Sequence, residues 1–495
     1  MLDELGQMRD ALVSARARPL SYDELPALRF DPLAPGVRYR PAAVTPRPLG
    51  VPEPARPDDP EDLAFADLAT LGALVRSRQV SCVELTELAL ARLERLDEEL
   101  ECVVTLLPER ALARARQLDA ELDEGRWRGP LHGIPWGAKD LLATADGPTT
   151  WGAEPFREQQ LDEDAAVVQR LDEAGAVLVA KLTLGALAYG DIWFDGRTRN
   201  PWNPDQGSSG SSAGPAAAVA SGAVPFAIGP ETYGSIVSPS HRCGVSGLRP
   251  TFGRVSRHGA MALVWSMDKL GPMCRSLDDA ALVFEAILGP DGRDPTVQDH
   301  PFARPGAAEV EGLVVGYPAG AFDDAEGGRQ VLDELAALGV ELVEVELPEA
   351  ADANLNAMLM AEAAAAFEPL TLDDRDDELV WQAPQAWPNL FRATRLLPAV
   401  EYVNASRRRS RLMREMDAVF DQVHVLVHPP YAADNLLITN HTGHPVAVAP
   451  AGFREDGTPY AVTFTGRLFD ETTLLAVAGA WQRRGDHHLQ RPPVR

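Results

Sequence analysis

The stretch GSSGSSAGPAAAVASGAVPFAIGPETYGSIVSPSHRCGVSGLRPTFGRVS, residues 207–256, holds two loops rich in glycine and serine. The loops span residues 207–214 and 229–239, and the Ala/Val-rich run between them predicts a short helix followed by a buried strand. Glycine has no side chain to bury, so such a dense cluster indicates backbone that closely approaches a ligand or a developing charge. Ser211 and Ser235 lie within these loops, and both are candidate reacting groups.

A serine hydroxyl is a weak nucleophile until a neighbouring base takes its proton, so a base is expected elsewhere in the chain. The candidate is Lys139, near the end of the apolar segment GPLHGIPWGAKDLL at residues 129–142. Burial in such a segment removes water from the ammonium group and lowers its pKa, which leaves part of the population neutral and able to accept a proton. The alternative is a structural lysine whose head group reaches water or pairs with Asp140.

Three short motifs resemble those of the amidase signature family of serine hydrolases. The first loop reads SGSSAGP at residues 209–215, the second reads GPETYGSI at 229–236, and the lysine segment reads GIPWGAKD at 133–140. Their order and spacing also match the family pattern. The resemblance implies a triad of side chains and an oxyanion hole of backbone N–H groups. The triad consists of Ser235 as nucleophile, Ser211 as a bridging serine that follows a cis peptide bond, and Lys139 as base; the N–H groups are those of Thr232, Tyr233, Gly234 and Ser235.

The chain departs from the family pattern at several positions around the two loops. These are Ser209 and Ala213 in place of glycines, Pro215 in place of a serine, Tyr233 in place of a glycine, and Val237 where many members have arginine. None of these changes removes a reacting group. Tyr233 supplies the same backbone N–H but adds an aromatic ring beside the reaction centre, so we expect this change to affect the shape of the substrate.

Aromatic residues are dense in and around the three motifs. Aromatic side chains usually belong to the core, but their density beside the expected chemistry predicts an apolar substrate pocket. The residues expected to contact the substrate are Trp136, Tyr189, Trp193, Gly210, Ser212 and Tyr233. The alternative is that the rings pack inward and leave a small polar site.

Helix-like and strand-like segments alternate along most of the chain, which predicts an α/β protein. The family resemblance implies an amidase-signature-like fold, with a mixed, mostly parallel central sheet surrounded by helices. Four parts are expected: a Pro-rich N-terminal arm at residues 1–61, a core with the catalytic loops at 62–290, a region of linker, strands and helical cap at 291–399, and the C-terminal part of the core at 400–495. Residues 1–18 are predicted to form an amphipathic helix. The apolar residues predicted to hold the arm against the body are Leu20, Tyr22, Leu28, Phe30 and Leu33.

The composition excludes several classes of function. A chain of 495 residues with 45% hydrophobic and 24% charged residues is typical of a globular protein with a large core. The formal net charge of −27 argues against nucleic acid as a partner, since phosphate binding needs clustered Lys and Arg. The four cysteines form no C-x-x-C pair and the histidines form no ligand motif, so neither a metal nor another cofactor is expected.

The N-terminal sequence MLDELGQMRDALVSARARPL lacks a basic start followed by an apolar core, and the chain has no run of about 18 uncharged apolar residues. We therefore expect a cytoplasmic protein with no membrane partner, although the sequence would look the same after removal of a secretion signal. The expected partner is a small-molecule amide substrate, and the expected state is a monomer or a homodimer.

Other functions fit parts of the sequence less well. The segment GSSAG at residues 210–214 matches the G-x-S-x-G elbow of α/β-hydrolases with Ser212 as nucleophile, but a loop precedes it where an elbow needs a strand, and no Asp-then-His pair is evident downstream. The sequence does not match a Walker phosphate-binding loop either, because no Gly-Lys-Ser/Thr follows the glycines. A purely binding role leaves three candidate reacting groups unexplained.

The main alternative within the family is the glutamine-hydrolysing component of a tRNA-dependent amidotransferase, which has the same fold. Val237, the aromatic residues and the Pro-rich arm favour a stand-alone enzyme instead. The sequence therefore predicts a serine hydrolase that cleaves C–N bonds of apolar or aryl amides through an acyl-enzyme. Carbamates (urethanes) and esters are further candidate substrates.

Overall fold

The computed structural model describes residues 28–49, 55–350 and 355–494, together with five residues nearer the N-terminus. Those five are Gly6, Gln7, Asp10, Ala11 and Val13. The helix predicted over residues 1–18 therefore lies largely outside the described residues. Two predicted anchors of the arm also lie outside them: Leu20 and Tyr22.

A large sheet of eleven strands organises the described part of the chain, and two small two-stranded sheets accompany it. The strands are, in chain order, β1 (Val103–Leu106), β2 (Pro135–Lys139), β3 (Val177–Leu182), β4 (Ile192–Trp193), β5 (Gly196–Arg197), β6 (Arg199–Asn200), β7 (Asn203–Gly207), β8 (Phe226–Glu231), β9 (Ser246–Arg249), β10 (Lys269–Cys274), β11 (Val314–Pro318), β12 (Glu341–Val345), β13 (Val425–His428), β14 (Val446–Phe453) and β15 (Pro459–Gly466). The order in the large sheet is β1-β3-β2-β8-β10-β9-β14-β15-β13-β11-β12. Every residue of β2, β8 and β10 is buried, so the centre of the sheet is fully enclosed.

Helices flank the large sheet. They are α1 (Pro60–Ala64), α2 (Leu68–Arg76), α3 (Cys82–Leu100), α4 (Pro108–Asp123), α5 (Ala166–Glu173), α6 (Ala213–Ala220), α7 (Val237–Cys243), α8 (Leu277–Ile287), α9 (Gln330–Ala336), α10 (Asn356–Ala366), α11 (Glu368–Leu372), α12 (Trp387–Thr394), α13 (Ala399–Val419), α14 (Asn435–Thr442) and α15 (Glu471–Gln482). None of these described helices is long and apolar enough to cross a membrane.

Parallel and antiparallel pairing both occur in the large sheet, which confirms the predicted mixed α/β architecture. Parallel pairing joins β2 to β3, β2 to β8, β11 to β12 and β11 to β13. The other six pairs of neighbours in the described sheet are antiparallel, so the sheet is less parallel than predicted. Part of the reason is local, because a short turn joins β14 to β15, and such a turn can only connect antiparallel strands.

The stretch of residues 207–256 runs through the centre of the molecule, and the helix and buried strand predicted within it are confirmed as α6 and β8. All eight residues of α6 are buried. Small side chains on every face let this helix pack closely against its neighbours. Gly229 on β8 lies opposite Gly271 on β10, so two strands meet without side chains at this point.

The arm contacts the body over residues 28–49. The ring of Phe30 packs edge-on against Phe252, with ring centroids 5.0 Å apart, and the guanidinium of Arg409 lies 3.5 Å from the centre of the Phe30 ring. Leu28, another predicted anchor, is exposed instead. One apolar ring held by an aromatic and a cationic partner therefore contributes more to this contact than the aliphatic side chain does.

The region predicted to form a cap contacts the loop that follows β3. The ring of Tyr189 in that loop lies 5.2 Å from Trp381 and 5.1 Å from Trp387. The indole Nε1 of Trp387 donates a hydrogen bond to the carbonyl of Leu187 at 3.1 Å. The four-part division of the chain stays a prediction, and β11 and β12 from its third part extend the same sheet.

Gly271 provides a test of this central packing. A Cβ atom at this position would lie 1.9 Å from the carbonyl oxygen of Leu248 on the neighbouring strand. We predict that Gly271→Ala lowers the free energy of unfolding by about 1–3 kcal/mol, or prevents folding, because backbone of a buried strand must move. Denaturant unfolding measures the change.

Gly485→Ala is the control, because a Cβ there meets its nearest neighbour at an ordinary 3.5 Å. Equal stability of the two alanine variants would contradict the described packing of β9 on β10.

Candidate active site

Three segments meet at the carboxyl ends of two neighbouring strands inside the large sheet. Strands β2 and β8 are parallel neighbours, so their carboxyl ends lie side by side. Lys139 is the last residue of β2, and Ser235 follows the end of β8 by four residues. Ser211 reaches the same place from the loop before α6. The crevice outside the carboxyl ends of adjacent parallel strands is where α/β proteins commonly bind ligands.

The three predicted reacting side chains form a continuous hydrogen-bonded chain. The Nζ atom of Lys139 lies 2.8 Å from the Oγ atom of Ser211, which lies 2.9 Å from the Oγ atom of Ser235. The peptide bond between Gly210 and Ser211 is cis. Lys139 and Ser211 are fully buried, whereas Ser235 keeps 8% of its surface exposed. Exposure is therefore greatest at the serine end of the chain, while the lysine at the other end is shielded from water.

Burial lowers the pKa of Lys139 well below its ordinary value, because the ammonium form loses its hydration. The negative charges of Asp268 and Glu231 oppose this shift without cancelling it. The Nζ atom also lies 3.2 Å from the Oγ atom of Ser212. A neutral amine has two N–H groups and one lone pair, so it can donate to Ser212 and accept from Ser211 at the same time.

The N–H groups predicted to form an oxyanion hole line a sharp loop between β8 and α7. Gly234 has a φ of 95°, a conformation that favours glycine. Within the described residues, no protein group accepts a hydrogen bond from the N–H of Tyr233, Gly234 or Ser235. Unpaired N–H groups beside an accessible hydroxyl are suited to bind a developing oxyanion.

The carboxylate of Glu231 anchors this loop, a role that was not predicted from the sequence. One carboxylate oxygen accepts hydrogen bonds from the N–H groups of Ile236 and Val237 at 2.8 and 3.0 Å. The other accepts from Arg249 at 2.6 Å and from the side-chain amide of Asn440 at 2.9 Å. Despite burial, which alone would raise it, the pKa of Glu231 is lowered to about 2, chiefly by the positive charge of Arg249.

The sequence contained one indication of this role, since Glu231 is an acidic residue at the end of a predicted buried strand, immediately before the loop that carries Ser235. Its partners could not be inferred in the same way, since Arg249 lies on β9 and Asn440 on α14, far along the chain. Only the fold brings these segments together.

A second buried pair explains why Asp140 is not the counter-ion of Lys139. The carboxylate of Asp140 lies 2.8 Å from the Nζ atom of Lys181, and both side chains are fully buried. Thr149 accepts a further hydrogen bond from the same Nζ atom at 2.9 Å. Lys181 thus takes the carboxylate that was the alternative partner of Lys139, and Lys139 is left with hydroxyl groups.

The aromatic residues predicted to line the pocket occupy different environments. Trp136 is only 1% exposed and stacks on Phe226 with ring centroids 6.0 Å apart. Trp136 lies three residues before Lys139 on β2, with an irregularity in the strand pairing between Trp136 and Gly137, and its contact with the substrate remains a prediction. Tyr233, by contrast, is 39% exposed beside Ser235.

The other predicted contact residues lie near the catalytic loops. Trp193 is buried edge-on against Phe194, with centroids 4.8 Å apart. A Cβ atom at Gly210 would lie 1.9 Å from the carbonyl oxygen of Gly190, so the loop that carries Tyr189 packs directly on the Ser211 loop. Substrate contact by Tyr189, Trp193, Gly210 and Ser212 remains a prediction.

Comparison with solved structures identifies the class of this fold. The native peptide amidase of Stenotrophomonas maltophilia superimposes with a TM-score of 0.76 and 29% sequence identity, over 87% of this chain and 98% of the amidase. An amidase family protein of Bacillus anthracis gives a TM-score of 0.77 at 26% identity, over 88% and 93% of the two chains. The fold is therefore that of amidases, hydrolases of amide bonds.

Sequence comparison identifies the family. The Amidase family profile matches residues 84–437, so the chain belongs to the amidase family. A glutamyl-tRNA(Gln) amidotransferase component of Chloroflexus aurantiacus is 35% identical over 473 residues, which cover 85% of this chain and 96% of that protein. AmiD, an amidase homologue of Mycobacterium tuberculosis, is also 35% identical, over 88% of this chain and 98% of its own length.

Glu231 provides a test of how the loop is held. We predict that Glu231→Gln lowers the free energy of unfolding at pH 7 by about 3–5 kcal/mol, because Arg249 is left buried without its counter-ion. The folded-state pKa of about 2 lies below the unfolded value, so the wild-type carboxylate stabilises the fold above the unfolded pKa and loses this effect as the pH falls towards 2.

The difference in free energy of unfolding between the wild type and Glu231→Gln should therefore become smaller when denaturant unfolding is repeated at pH 3.5. Glu455→Gln, at an exposed position, serves as the control and should match the wild type at both pH values. A difference that stays constant with pH would show that the charge of Glu231 does not carry the effect.

Proposed function

We propose that the chain hydrolyses amides through an acyl-enzyme formed on Ser235, with Ser211 as proton carrier and Lys139 as base. The observation that supports this assignment most strongly is the chain of short contacts from the buried Lys139 through Ser211 to the partly exposed Ser235. A lysine whose pKa is lowered by burial supplies the neutral amine that a base requires.

In the first half-reaction, the Oγ atom of Ser235 attacks the carbonyl carbon of the amide. Its proton passes to Ser211 as the hydroxyl proton of Ser211 passes to Lys139 Nζ. The tetrahedral oxyanion accepts hydrogen bonds from the backbone N–H groups of residues 232–235. The ammonium of Lys139 then returns a proton through Ser211 to the leaving nitrogen, the C–N bond breaks, and the amine departs.

In the second half-reaction, water attacks the ester of Ser235. Lys139 again receives a proton through Ser211, a second tetrahedral intermediate forms, and the bond between the carbonyl carbon and Ser235 Oγ breaks. The proton returns to Ser235, and the carboxylic acid is released. One amide and one water are thus converted into one acid and one amine, and the protein returns to its starting protonation state.

We propose that the preferred substrates are apolar or aryl amides, with carbamates (urethanes) and esters as further candidates. Tyr233 supports this preference, because its exposed ring lies next to the nucleophile. Val237 supports it as well, since a buried aliphatic side chain provides no cation for a substrate carboxylate.

The second candidate function is glutamine hydrolysis as one component of a tRNA-dependent amidotransferase. The 35% identity to the Chloroflexus aurantiacus amidotransferase component favours it. The equal identity to AmiD favours an amidase to the same degree. The two functions differ in substrate and in dependence on partner proteins, so activity of the isolated chain separates them.

The roles of the triad are tested by substitution. We predict that Ser235→Ala and Lys139→Ala each lose more than about 10³-fold in kcat while remaining folded, and that Ser211→Ala is strongly impaired. These groups act as one unit, so the Ser235→Ala/Lys139→Ala double variant should be little worse than the weaker single variant. Steady-state kinetics and circular dichroism provide the two readouts.

The control is Ser221→Ala, because Ser221 is also a buried serine, and among the described residues its hydroxyl bonds only to carbonyls of α6. It should keep wild-type turnover. Wild-type turnover by Ser235→Ala would disprove the assigned nucleophile.

Substrate preference is tested with acetamide, glutamine and an acyl anilide at equal concentration. Burial of a phenyl ring contributes at about 25 cal/mol per Å² of apolar area, and part of that interaction should persist in the transition state. We predict that kcat/KM for the anilide exceeds the other two values by roughly tenfold or more. A preference for glutamine would contradict the apolar pocket and support the amidotransferase function.

A further inference from the structure

A small cavity of about 60 Å³ adjoins the catalytic loops, and we call it the inner cavity. Its wall includes Pro230, whose carbonyl accepts a hydrogen bond from Ser212 Oγ at 3.3 Å, and Ser212 contacts Lys139. It also includes Asp268, whose carboxylate accepts a hydrogen bond from the hydroxyl of Thr232. The inner cavity therefore adjoins the segment that leads from β8 into the loop carrying Ser235.

A second cavity of about 290 Å³, the outer cavity, lies between the arm, α10 and α13. Arm residues Arg29 and Phe30 form one side of it, and Tyr402 of α13 forms another. Arg257 and Trp265 line both cavities, so these two side chains form the partition between them. Arg257 and Trp265 therefore separate the outer cavity from the inner cavity, which has Pro230 of the second serine loop in its wall.

The two halves of the partition differ in how firmly they are held. Arg257 donates hydrogen bonds to Asp294 at 3.0 Å, to the carbonyl of Trp265 at 2.6 Å and to Thr296 at 3.0 Å. The indole Nε1 of Trp265, by contrast, has no hydrogen-bond acceptor within the described protein. Arg257 is fixed by its polar partners, whereas the indole ring of Trp265 is held by packing alone.

The polar groups around the cavities are largely paired with the protein itself. Glu362 accepts hydrogen bonds from the N–H and hydroxyl of Ser266 at 3.0 and 2.7 Å and from the hydroxyl of Tyr402 at 3.1 Å. His258 lies 3.0 Å from Glu163. The walls left to contact a ligand are apolar, and in the inner cavity they include Ala260, Met261, Ala262 and Leu270.

We infer that Trp265 determines which amines the enzyme can release, by controlling the passage of an apolar amine substituent from the inner to the outer cavity. This inference rests on the proposed function. The amine half is assigned here because Ser211 returns the proton to the leaving nitrogen, and its neighbour Ser212 contacts the wall of the inner cavity at Pro230. The substrate class is amides of aromatic amines.

The sizes of the cavities support this assignment. A cavity of about 150 Å³ is known to accommodate benzene, so an inner cavity of about 60 Å³ holds less than one phenyl ring. A ring on the leaving nitrogen must therefore extend towards the outer cavity, and the Trp265 indole is in its way. A fused two-ring amine requires still more displacement than aniline does.

Trp265→Ala tests the inference with a series of acetylated amines: ammonia, aniline and 2-naphthylamine. We expect kcat/KM for the naphthylamide to rise at least tenfold over the wild type and the value for acetamide to stay within threefold. Trp127→Ala is the matched control, because Trp127 lies at the surface against Arg76 and should leave all three values unchanged.

Ala262→Phe is the complementary variant, since it fills the inner cavity. We expect it to lower kcat/KM for the anilide and the naphthylamide at least tenfold and to leave acetamide within threefold. This variant also keeps the inference testable if Trp265→Ala does not fold.

A parallel series with one amine and acyl groups of two to eight carbons identifies the half of the substrate that is involved. In this acyl series, kcat/KM should depend on the length of the acyl group in the same way in the wild type and in Trp265→Ala. An unchanged amine series in both variants, or a change confined to the acyl series, would overturn the inference. Failure of the proposed function is recognised separately, because Ser235→Ala would then retain activity on acetamide.

Discussion

The buried ion pair between Glu231 and Arg249 is the interaction on which the site depends. A carboxylate without a partner in this position would cost several kcal/mol, and pairing with Arg249 offsets that cost when the chain folds. The same carboxylate holds the N–H groups of Ile236 and Val237, which fixes the loop that carries Ser235. Asn440 adds a contact from α14, so the pair also joins segments that lie far apart in the chain.

The two buried lysines show how partners decide the chemistry of one residue type. Burial lowers the pKa of both Lys139 and Lys181. Lys181 is in direct contact with Asp140, whose charge stabilises the ammonium form. Lys139 contacts only the hydroxyls of Ser211 and Ser212 among its hydrogen-bond partners in the described chain, and hydroxyls do not compensate for lost hydration to the same extent. The neutral amine expected of a base follows from this difference.

Much of the architecture could be predicted from the sequence, because α6 and β8 have strong local patterns and the motifs resemble those of a known family. The contact of Lys139 with Ser211 was expected from that resemblance. The role of Glu231 could not be predicted, because its partners come from β9 and α14. Substrate contact by Trp136 stays a prediction, since the density of aromatic residues in the sequence does not say which face of a strand they occupy. Antiparallel pairing was underestimated because strand order depends on long-range contacts.

Covalent labelling of Ser235 by a sulfonyl fluoride tests whether Lys139 activates this serine, since the reaction requires the activated nucleophile but no particular substrate. Inactivation rates are measured against pH for the wild type and Lys139→Met, and the labelled residue is identified by peptide mass spectrometry. This mechanism predicts a label on Ser235, a rate that rises with pH to an alkaline plateau as Lys139 becomes neutral, and a rate at least 100-fold lower in the variant, on the order of what loss of a general base costs. A label on Ser212, or a wild-type rate in Lys139→Met, would contradict it.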